Sequence, residues 1–448
     1  MSKSWLFRPL VHSSGALGRF IGSERKGEDE LADHVVKRPH VLVISGSFPN
    51  PAKPHWGVFV AQILLRLKAY CQISVVCPIP WAPKCLPRSF FPEWSSLSKI
   101  PAKWQFQGMN VYFPRYFMVP KSKTSQKLQA RQVGAAIRRL VRRCSELASV
   151  DLINAQYLYP EGGAAFACRC SPNVPVILSS LGSDLNVDAT DPTKRKQIRE
   201  AVMKASANIA VSSELAGKLL ELGANPEDIF VIQNGIDKSI FFPRSLSGAR
   251  KSLAIPEDEN YVVFVGALRE IKGLMTLVDS LKILKERGQL KFKTFLVGEG
   301  PLRQRIEDKI KMHGLGVDVT MVGMVPHDRV PYWISSANIF CLPSFNEGQP
   351  NVVLEALASG VPVVASSVGG IPALVKESSG ILVPPGCADT LANALRDAFE
   401  RKWDRAAIVE SVAGLSWENT ASRYFEVILR CLGSTGKRNG ESSEVFGN

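Results

Sequence analysis

Two glutamates in one short stretch have the types and spacing to bind a ligand that carries both phosphates and hydroxyl groups. The stretch SFNEGQPNVVLEALASGVPVVAS (344–366) places Glu347 among Gly and Pro, and Glu355 eight residues later among helix-forming residues. The pattern predicts a helix that begins with Pro350 and ends at Gly360. Free N–H groups at a helix start bind phosphate, whereas carboxylates accept hydrogen bonds from hydroxyls. The stretch therefore predicts a site for a nucleotide diphosphate and its sugar.

The turn before this helix is the part that we expect to contact the phosphates. Gly348 allows the backbone to approach a ligand closely. We therefore assign phosphate or donor binding to the turn residues Gly348, Gln349, Pro350 and Asn351. Glu355, about one turn into the helix, can accept two hydrogen bonds from a vicinal diol such as that of ribose. Glu347 is then free to bind sugar hydroxyls on the other side of the diphosphate.

A second loop supplies a cation. The segment VGALREIKG (265–273) follows an apolar strand and contains Gly266, Arg269 and Lys272. In open parallel sheets, ligands bind beyond the carboxyl ends of the strands, where this loop and the Glu347 loop both lie. We expect Lys272 to bind the diphosphate and Arg269 and Gly266 to belong to the donor site.

The alternation of strand and helix patterns predicts an α/β fold with two doubly wound parallel sheets. One series begins at HVLVISGSFPN and a second follows FFPRSLSGARKS. The predicted organisation has five parts, which are a flexible tail (1–37), a first Rossmann-like domain (38–240), a second one (241–416), a helix returning to the first (417–433) and a polar tail (434–448). No apolar run reaches the roughly 18–20 residues that span a bilayer, and no signal peptide is expected.

Positive charge is concentrated in the first half of the chain. Residues 1–240 hold 31 Lys and Arg against 18 Asp and Glu, whereas residues 241–448 hold 24 against 23. A segment at 85–127 mixes basic residues with aromatic ones. Downstream, a helical face predicts a basic stripe of Lys127, Arg131, Arg138 and Arg142. This balance favours an anionic membrane surface as a partner, with nucleic acid excluded because no nucleic-acid-binding module is present.

Together these motifs resemble the retaining family 4 glycosyltransferases of the GT-B fold, over roughly residues 40–432. The matching elements are EGQPNVVLEALASGVPVVAS, GALREIKG, NGIDKSIFFP, FPNPAKPHWGVFV and YPEGGAAF. The resemblance implies that Glu347, Lys272 and Asp184 act in catalysis, that Glu355 binds ribose, and that transfer retains the anomeric configuration without a metal or other cofactor. It places Gly57 in the donor site and His55, Arg138 and Arg142 on the acceptor side.

The resemblance also implies a substrate pair. The donor would be a UDP- or GDP-sugar, and a hexose or N-acetylhexosamine would pass to a lipid-linked or oligosaccharide acceptor during cell-surface polysaccharide biosynthesis. The protein would be cytoplasmic and peripheral on the inner face of the plasma membrane. The sequence departs from the family pattern at Ala267, Leu181 and Gln156. Two alternatives therefore stay open, which are a nucleotide-sugar epimerase of the same fold and a catalytically silent nucleotide-sugar-binding subunit.

Overall fold

Short apolar runs rich in β-branched residues form the sheet of the first domain. The computed structural model describes residues 38–81, 97, 99–118, 123–288 and 291–440, of which 123, 125, 126 and 434–440 are described by backbone alone. An eight-stranded sheet has the order β10-β9-β8-β7-β1-β2-β5-β4, and only the β4–β5 pair is antiparallel. Two further strands, β3 and β6, pair separately. The strands are β1 (His40–Ser45), β2 (Gln72–Val76), β3 (Ile79–Trp81), β4 (Lys103–Phe106), β5 (Met109–Tyr112), β6 (Arg115–Phe117), β7 (Leu152–Gln156), β8 (Val176–Ser180), β9 (Ala207–Ala210) and β10 (Ile229–Val231).

The second domain has a six-stranded sheet of the order β13-β12-β11-β14-β15-β16, in which every pair is parallel. Its strands are β11 (Tyr261–Val265), β12 (Lys293–Val297), β13 (Val319–Gly323), β14 (Ile339–Leu342), β15 (Val363–Ser366) and β16 (Gly380–Val383). Because all these strands are parallel, the loops that leave them end at one edge of the sheet. The loops after β11 and β14 are the two that carry the predicted site residues.

Helices cover both sheets, as parallel sheets require. In the first domain they are α1 (Val58–Leu67), α2 (Lys123–Arg143), α3 (Glu161–Cys168), α4 (Ser183–Asn186), α5 (Pro192–Val202) and α6 (Ser213–Glu221). In the second they are α7 (Leu246–Ser252), α8 (Leu274–Arg287), α9 (Arg303–Met312), α10 (Val330–Ser335), α11 (Asn351–Ala358), α12 (Ile371–Leu374), α13 (Ala388–Glu400) and α14 (Arg405–Glu410). The last helix is α15 (Trp417–Gly440), and 3₁₀ turns lie at Ser145–Leu147, Asp188–Thr190, Pro226–Asp228, Glu270–Lys272 and His327–Arg329.

The final helix α15 belongs to the core of the first domain. Trp417, Ala421 and Tyr424 are buried in one hydrophobic cluster with residues of β1 and α1. The opposite face of the same sheet is covered by α2, α3, α5 and α6, which form a separate cluster. The chain therefore crosses between the domains twice, once after β10 and once before α15. Both crossings lie together, because Ile236 donates a backbone hydrogen bond to the Leu415 carbonyl at 3.1 Å.

The predicted fold class is confirmed, with one correction at the end of the chain. The sequence prediction ended the last helix at residue 433, but the helix continues to Gly440 because no proline interrupts its backbone hydrogen bonds. The predicted tail at 1–37 and part of the aromatic segment at 85–127, namely 85–96, 98 and 119–122, lie outside the described residues. Within the described part of the chain, no helix combines the length and apolar character needed to cross a membrane.

The packing of α15 generates a test of its contribution to stability. Tyr424 is 2% exposed, and its hydroxyl donates to Ser179 Oγ at 3.4 Å. Tyr424→Ala should lower the free energy of unfolding by about 3–5 kcal/mol, because it leaves a cavity in the core. Leu429→Ala, on an exposed part of the same helix, is the control and should have little effect. Equal denaturation midpoints in urea for the two variants would contradict the docking of α15.

Candidate active site

The turn from β14 into α11 forms the centre of the site. Pro350 has an extended backbone and is the N-cap of α11, one position before the first helical residue. No side chain of the described residues caps this helix start. Gly360 follows the helix with a φ of +70°, which matches the predicted stop. The first two N–H groups of α11, those of Asn351 and Val352, thus keep their hydrogen-bonding capacity, whereas the Val353 N–H donates to the Pro350 carbonyl at 3.1 Å. The helix dipole adds a partial positive charge at the same point.

The predicted glutamates lie in two different cavities that share the start of α11. Glu347 lines a cavity of about 370 Å³, here called the Glu347 cavity. Glu355 lines a second cavity of about 250 Å³, the Glu355 cavity. Asn351, the first residue of α11, and Phe59, from α1 of the first domain, line both. A spacing of eight residues therefore places one carboxylate on each side of the helix start.

Glu347 is held by a cation and a hydroxyl group. Its Oε1 atom accepts hydrogen bonds from Lys272 Nζ at 2.7 Å and from Ser344 Oγ at 2.6 Å. The Glu347 side chain is 10% exposed and that of Lys272 is 21% exposed. A charge-assisted bond in such a setting fixes both side chains. The sequence assigned Lys272 to the diphosphate and Glu347 to the sugar, and the structure places the two side chains in direct contact.

The loop that carries Lys272 reaches Glu347 only because a glycine follows the lysine. Gly273 has a φ of +67°, and a Cβ atom there would lie 1.9 Å from the Pro343 carbonyl oxygen. The Phe345 N–H donates to the Ile271 carbonyl at 2.8 Å and ties the same two loops together. A side chain at 273 would therefore separate the loops after β11 and β14, and with them the lysine and the carboxylate.

Glu355 has a different electrostatic environment. It is partly buried on α11, and burial raises its pKa from 4.5 to about 7. His55 and Gly57 from the first domain, and His327 from the second, line the same cavity. Burial also lowers the pKa of His327, and the nearby His55 lowers it further. His55 was predicted on the acceptor side, and the structure places it in the wall of the Glu355 cavity, in the loop between β1 and α1.

Side-chain amides lock the start of α11 to the interdomain linker. Gln349 is buried, and its Oε1 accepts from the Asn234 N–H at 2.6 Å. Asn234 Nδ2 in turn donates to Asn351 Oδ1 at 2.9 Å. The side chains of Gln349 and Asn351 thus bind the linker, and their backbone groups are the part that remains for a ligand. The sequence assigned no role to Asn234, although it is the first residue of the matching element NGIDKSIFFP.

The two domains approach each other backbone to backbone at the Glu347 cavity. Gly182 has a φ of +126°, and a Cβ atom on it would lie 2.8 Å from the Cα of Gly348. A Cβ on Gly348 would lie 2.4 Å from the Leu181 carbonyl oxygen. Asn186 of α4 donates a hydrogen bond to the Glu347 carbonyl at 3.3 Å. Gly348 is thus required for contact between the domains as well as for access to a ligand.

Asp184 occupies a buried position behind this contact. Its Oδ1 accepts from Ser180 Oγ, and from the N–H groups of Gly182 and Leu185, each at 3.0 Å. Its Oδ2 accepts from the N–H groups of Leu158 and Leu181 at 3.3 Å. The side chain is fully buried and is not among the described residues that line either cavity. The carboxylate thus holds the loops after β7 and β8 in place, and the catalytic role that the resemblance implies for Asp184 stays a prediction.

Five further predicted residues are not among the described residues that line either cavity, and one of them is Pro350, the N-cap of α11. Arg269 is exposed and Gly266 is partly buried, and neither lines a cavity. Arg138 is exposed and donates to the carbonyl of Ala167 near the end of α3. Arg142 is exposed on the same helix, α2. Both arginines lie on α2, which covers the sheet of the first domain, so the structure does not bring them to the cavity walls.

Tyr157 is a cavity residue that the sequence reasoning missed. It follows β7, lines the Glu347 cavity and has a φ of +89°, which is unusual for a residue other than glycine. Its hydroxyl hydrogen-bonds with Ser47 and Ser183, and burial raises its pKa to about 12. Strained backbone of this kind is concentrated at functional sites. The only sequence signal was an aromatic residue directly after the strand LINAQ.

The three residues at which the sequence departs from the family pattern lie in three different environments. Gln156 is buried, and its Nε2 donates to Asn154 Oδ1 at 2.6 Å inside the sheet. Ala267 is exposed beyond β11. Leu181 lines the Glu347 cavity and gives an apolar wall where a cation is common in the resembling family. Of the three, only Leu181 changes the surface that a ligand in this cavity would meet.

The protein has two parallel-sheet domains with a cleft between them, and carboxylates lie on both sides of a helix start within this cleft. This arrangement is that of a glycosyltransferase of the GT-B fold. Residues 248–413 match the family model for group 1 glycosyl transferases, and residues 101–239 match the model for glycosyltransferase family 4. The chain belongs to the family 4 glycosyltransferases.

Individual relatives and solved structures are also similar to this chain. A putative teichuronic acid biosynthesis glycosyltransferase, TuaC, from Bacillus subtilis is 31% identical over 369 residues, which cover 81% of this chain and 90% of TuaC. The solved structure of sucrose-phosphate synthase from Thermosynechococcus elongatus superposes with a TM-score of 0.71 at 23% identity, covering 89% of this chain and all of that one. Anabaena Alr3699/HepE, solved in complex with UDP, gives a TM-score of 0.60 at 20% identity, with 90% and 99% of the two chains covered.

The environment of Glu355 generates a prediction about stability and pH. Because the folded pKa is raised to about 7, the folded protein retains a proton that the unfolded chain releases above its ordinary pKa. The contribution of Glu355 to the free energy of unfolding therefore falls as the pH rises from about 4.5 to 7. We expect Glu355→Gln to be more stable than the parent at pH 8, by up to about 3 kcal/mol, and similar to it near pH 4. Urea unfolding at both pH values measures the difference.

The control for this test is Glu377→Gln, which changes an exposed carboxylate of the same domain. It should leave the unfolding free energy nearly unchanged at both pH values. A Glu355→Gln variant that is less stable than the parent at pH 8 would show that the carboxylate is not penalised by burial.

Proposed function

We propose that this glycosyltransferase moves a hexose or N-acetylhexosamine from a UDP- or GDP-sugar to a lipid-linked glycan acceptor, with retention of configuration and without a metal, in cell-surface polysaccharide biosynthesis. The observation that carries the proposal is the division of the two carboxylates between the Glu355 cavity and the Glu347 cavity. The similarity to TuaC, a putative teichuronic acid biosynthesis glycosyltransferase, supports the polysaccharide context, and the solved complexes of Alr3699/HepE with UDP and with UDP-glucose support a uridine donor.

In this proposal the diphosphate lies at the start of α11, between the cavities. The ribose hydroxyls of the nucleotide donate to Glu355, and the hydroxyls of the transferred sugar donate to Glu347. A carboxylate would repel phosphate, so each one binds the uncharged part of the donor on its own side. The backbone amides from Gln349 to Asn351 and the helix dipole contact the phosphates.

The transfer step follows from the same arrangement. The bond between the anomeric carbon and the β-phosphate oxygen breaks, and a bond from that carbon to an acceptor hydroxyl oxygen forms on the same face. The acceptor proton passes to the departing phosphate. Lys272 and the start of α11 stabilise the negative charge that develops on the leaving group. Closure of the two domains around the donor would exclude water and limit hydrolysis.

Peripheral docking on an anionic membrane remains part of the proposal. The structure divides the predicted basic stripe, because Lys127 and Arg131 line a groove while Arg142 and its neighbour Arg143 are exposed near the end of α2. We propose that this end of α2 faces the inner leaflet, where each basic residue near the surface contributes about 1 kcal/mol.

An assay with labelled donors tests the proposal. Purified protein is incubated with labelled UDP- and GDP-sugars and a membrane extract, and the lipid and sugar-nucleotide fractions are separated. We expect label in the lipid fraction. An altered free sugar nucleotide without labelled lipid would instead indicate an epimerase. Binding without turnover, seen as a rise in melting temperature with donor concentration, would indicate a catalytically silent subunit.

The contact between Lys272 and Glu347 generates a sharper test of the lysine. Lys272→Met should reduce the transfer rate by roughly ten- to more than a hundredfold, because a hydrogen bond to a charged group is lost in the transition state. The single variant also leaves Glu347 without its cation. The double variant Lys272→Met with Glu347→Gln removes that unpaired charge. If Lys272 acts on the diphosphate, the double variant will be no faster than Lys272→Met.

Recovery of activity in the double variant would contradict this role and show that the lysine only neutralises Glu347. Lys376→Met, at an exposed position of the same domain, is the matched control for loss of a lysine and should retain the parent rate. Single-turnover rates at saturating donor separate the chemical step from binding.

A further inference from the structure

A basic groove lies on the first domain, apart from the two cavities of the cleft. It has a volume of about 800 Å³ and is formed by α2 and α5 as walls, with α3 as the floor. This volume falls within the ~300–1,000 Å³ that is typical of ligand sites. Gly163 allows α3 to pack closely against α2, since a Cβ atom there would lie 2.8 Å from the Cβ of Ala130. The sequence had placed two of its residues, Lys127 and Arg131, in a stripe that faces a membrane.

The charge of the groove is strongly positive. Four cations line it, two from α2 and two from the α5 side, and Glu200 is the one carboxylate among the described lining residues. The four are Lys127, Arg131, Lys196 and Lys204. Within the part of the chain that the structure describes, none of them forms an ion pair with a carboxylate. Cations gathered on facing walls repel one another, and an anion between them would remove that repulsion.

The remaining lining suits a carbohydrate rather than a flat bilayer. Thr193 and Gln197 on α5 offer a hydroxyl and an amide, which can hydrogen-bond to sugar hydroxyls, and Phe166 contributes a partly buried aromatic surface. Gln197 Nε2 also donates to the Lys127 carbonyl at 3.3 Å, which fixes the distance between the walls. A concave groove of this kind surrounds a chain, whereas a membrane would contact only its rims.

The direction of the groove connects it to the cleft. The helices α2, α3 and α5 each precede a strand of the parallel sheet, so each begins at the carboxyl edge, where the cleft lies. Pro192 and Thr193, at the start of α5, line the groove, and the preceding α4 supplies Asn186 to the Glu347 cavity. The groove therefore opens at the edge of the sheet from which an acceptor would enter.

We infer that this groove binds an acidic segment of the acceptor glycan, in which carboxylate- or phosphate-bearing sugars lie between α2 and α5 while the acceptor end reaches the Glu347 cavity. The inference rests on the proposed transfer to a glycan. It assigns the basic charge of the first domain to recognition of the acceptor's chain, in addition to any attraction to a membrane.

Direct binding of defined oligosaccharides tests the inference. The probe is tetragalacturonate, with neutral maltotetraose as its comparison, and affinity is measured by calorimetry at low and high salt. The full-length protein should bind tetragalacturonate more tightly than maltotetraose, and more weakly as salt screens the charges. Lys196→Glu and Arg131→Glu should each weaken binding by about tenfold or more, because each loses a charged contact.

Arg195→Glu is the matched control, since Arg195 is exposed beside Lys196 on α5 but does not line the groove. It should change the affinity by less than about twofold. Equal losses in Arg195→Glu and Lys196→Glu, or equal affinity for the acidic and neutral probes, would overturn the inference. If Lys196→Glu and Arg131→Glu lost binding to phosphatidylglycerol vesicles but kept their affinity for tetragalacturonate, the inference would be overturned and the groove would be a membrane-docking surface instead.

A parallel measurement keeps this inference separate from the proposed function. The rise in melting temperature with UDP-glucose and with GDP-mannose should be the same in the groove variants as in the parent, which also shows that the variants fold. Donor binding with no tetragalacturonate binding would reject the groove alone. Failure of the parent to respond to any nucleotide sugar would reject the proposed function, whatever the groove binds.

Discussion

The start of α11 is the point on which the rest of the site depends. Its backbone N–H groups must stay open to a ligand while the helix itself is held in place. The amide side chains of Gln349 and Asn351 achieve this by binding Asn234 in the linker, at 2.6 and 2.9 Å. The first turn of α11 is thereby fixed to the segment that joins the two domains. Movement of the linker would move the helix start with it.

Charge is distributed around this point in a way that avoids repulsion. Glu347 has Lys272 and Ser344 as partners, whereas Glu355 is partly buried and its pKa is raised to about 7. A carboxylate penalised by burial is more readily protonated than an exposed one. Protonation of Glu355 would lower the total negative charge beside the start of α11. Binding of hydroxyl donors to Glu355 would favour its charged form.

The first domain contributes shape to the site more than it contributes charge. Asp184 is buried and uses its oxygen atoms to hold the loops after β7 and β8. Gly182, at the end of one of these loops, then meets Gly348 backbone to backbone. Tyr157 and Leu181 complete the wall of the Glu347 cavity. Four cations of this domain lie instead in the groove between α2 and α5.

The sequence by itself determined the fold class, the strand and helix order, and the local chemistry of the β14–α11 turn. These follow from nearest-neighbour patterns: apolar runs, a proline before a helix and a glycine after it. Glu347, Glu355, Lys272 and Gly348 were identified in this way, and Gly57 was identified from the family resemblance. The structure brings each of them to one of the two cavities.

Only the tertiary structure decided which residues meet across long distances in the chain. Asn234 pairs with residues more than a hundred positions away, and no local pattern predicts such a pair. The roles of Asp184, His55 and Arg138 depended on which way each loop or helix face turns, and a one-dimensional motif does not contain that direction. The positive φ of Tyr157 is likewise imposed by the packing around it. Local propensity sets the elements, but their contacts are set by packing, and the site is made of contacts.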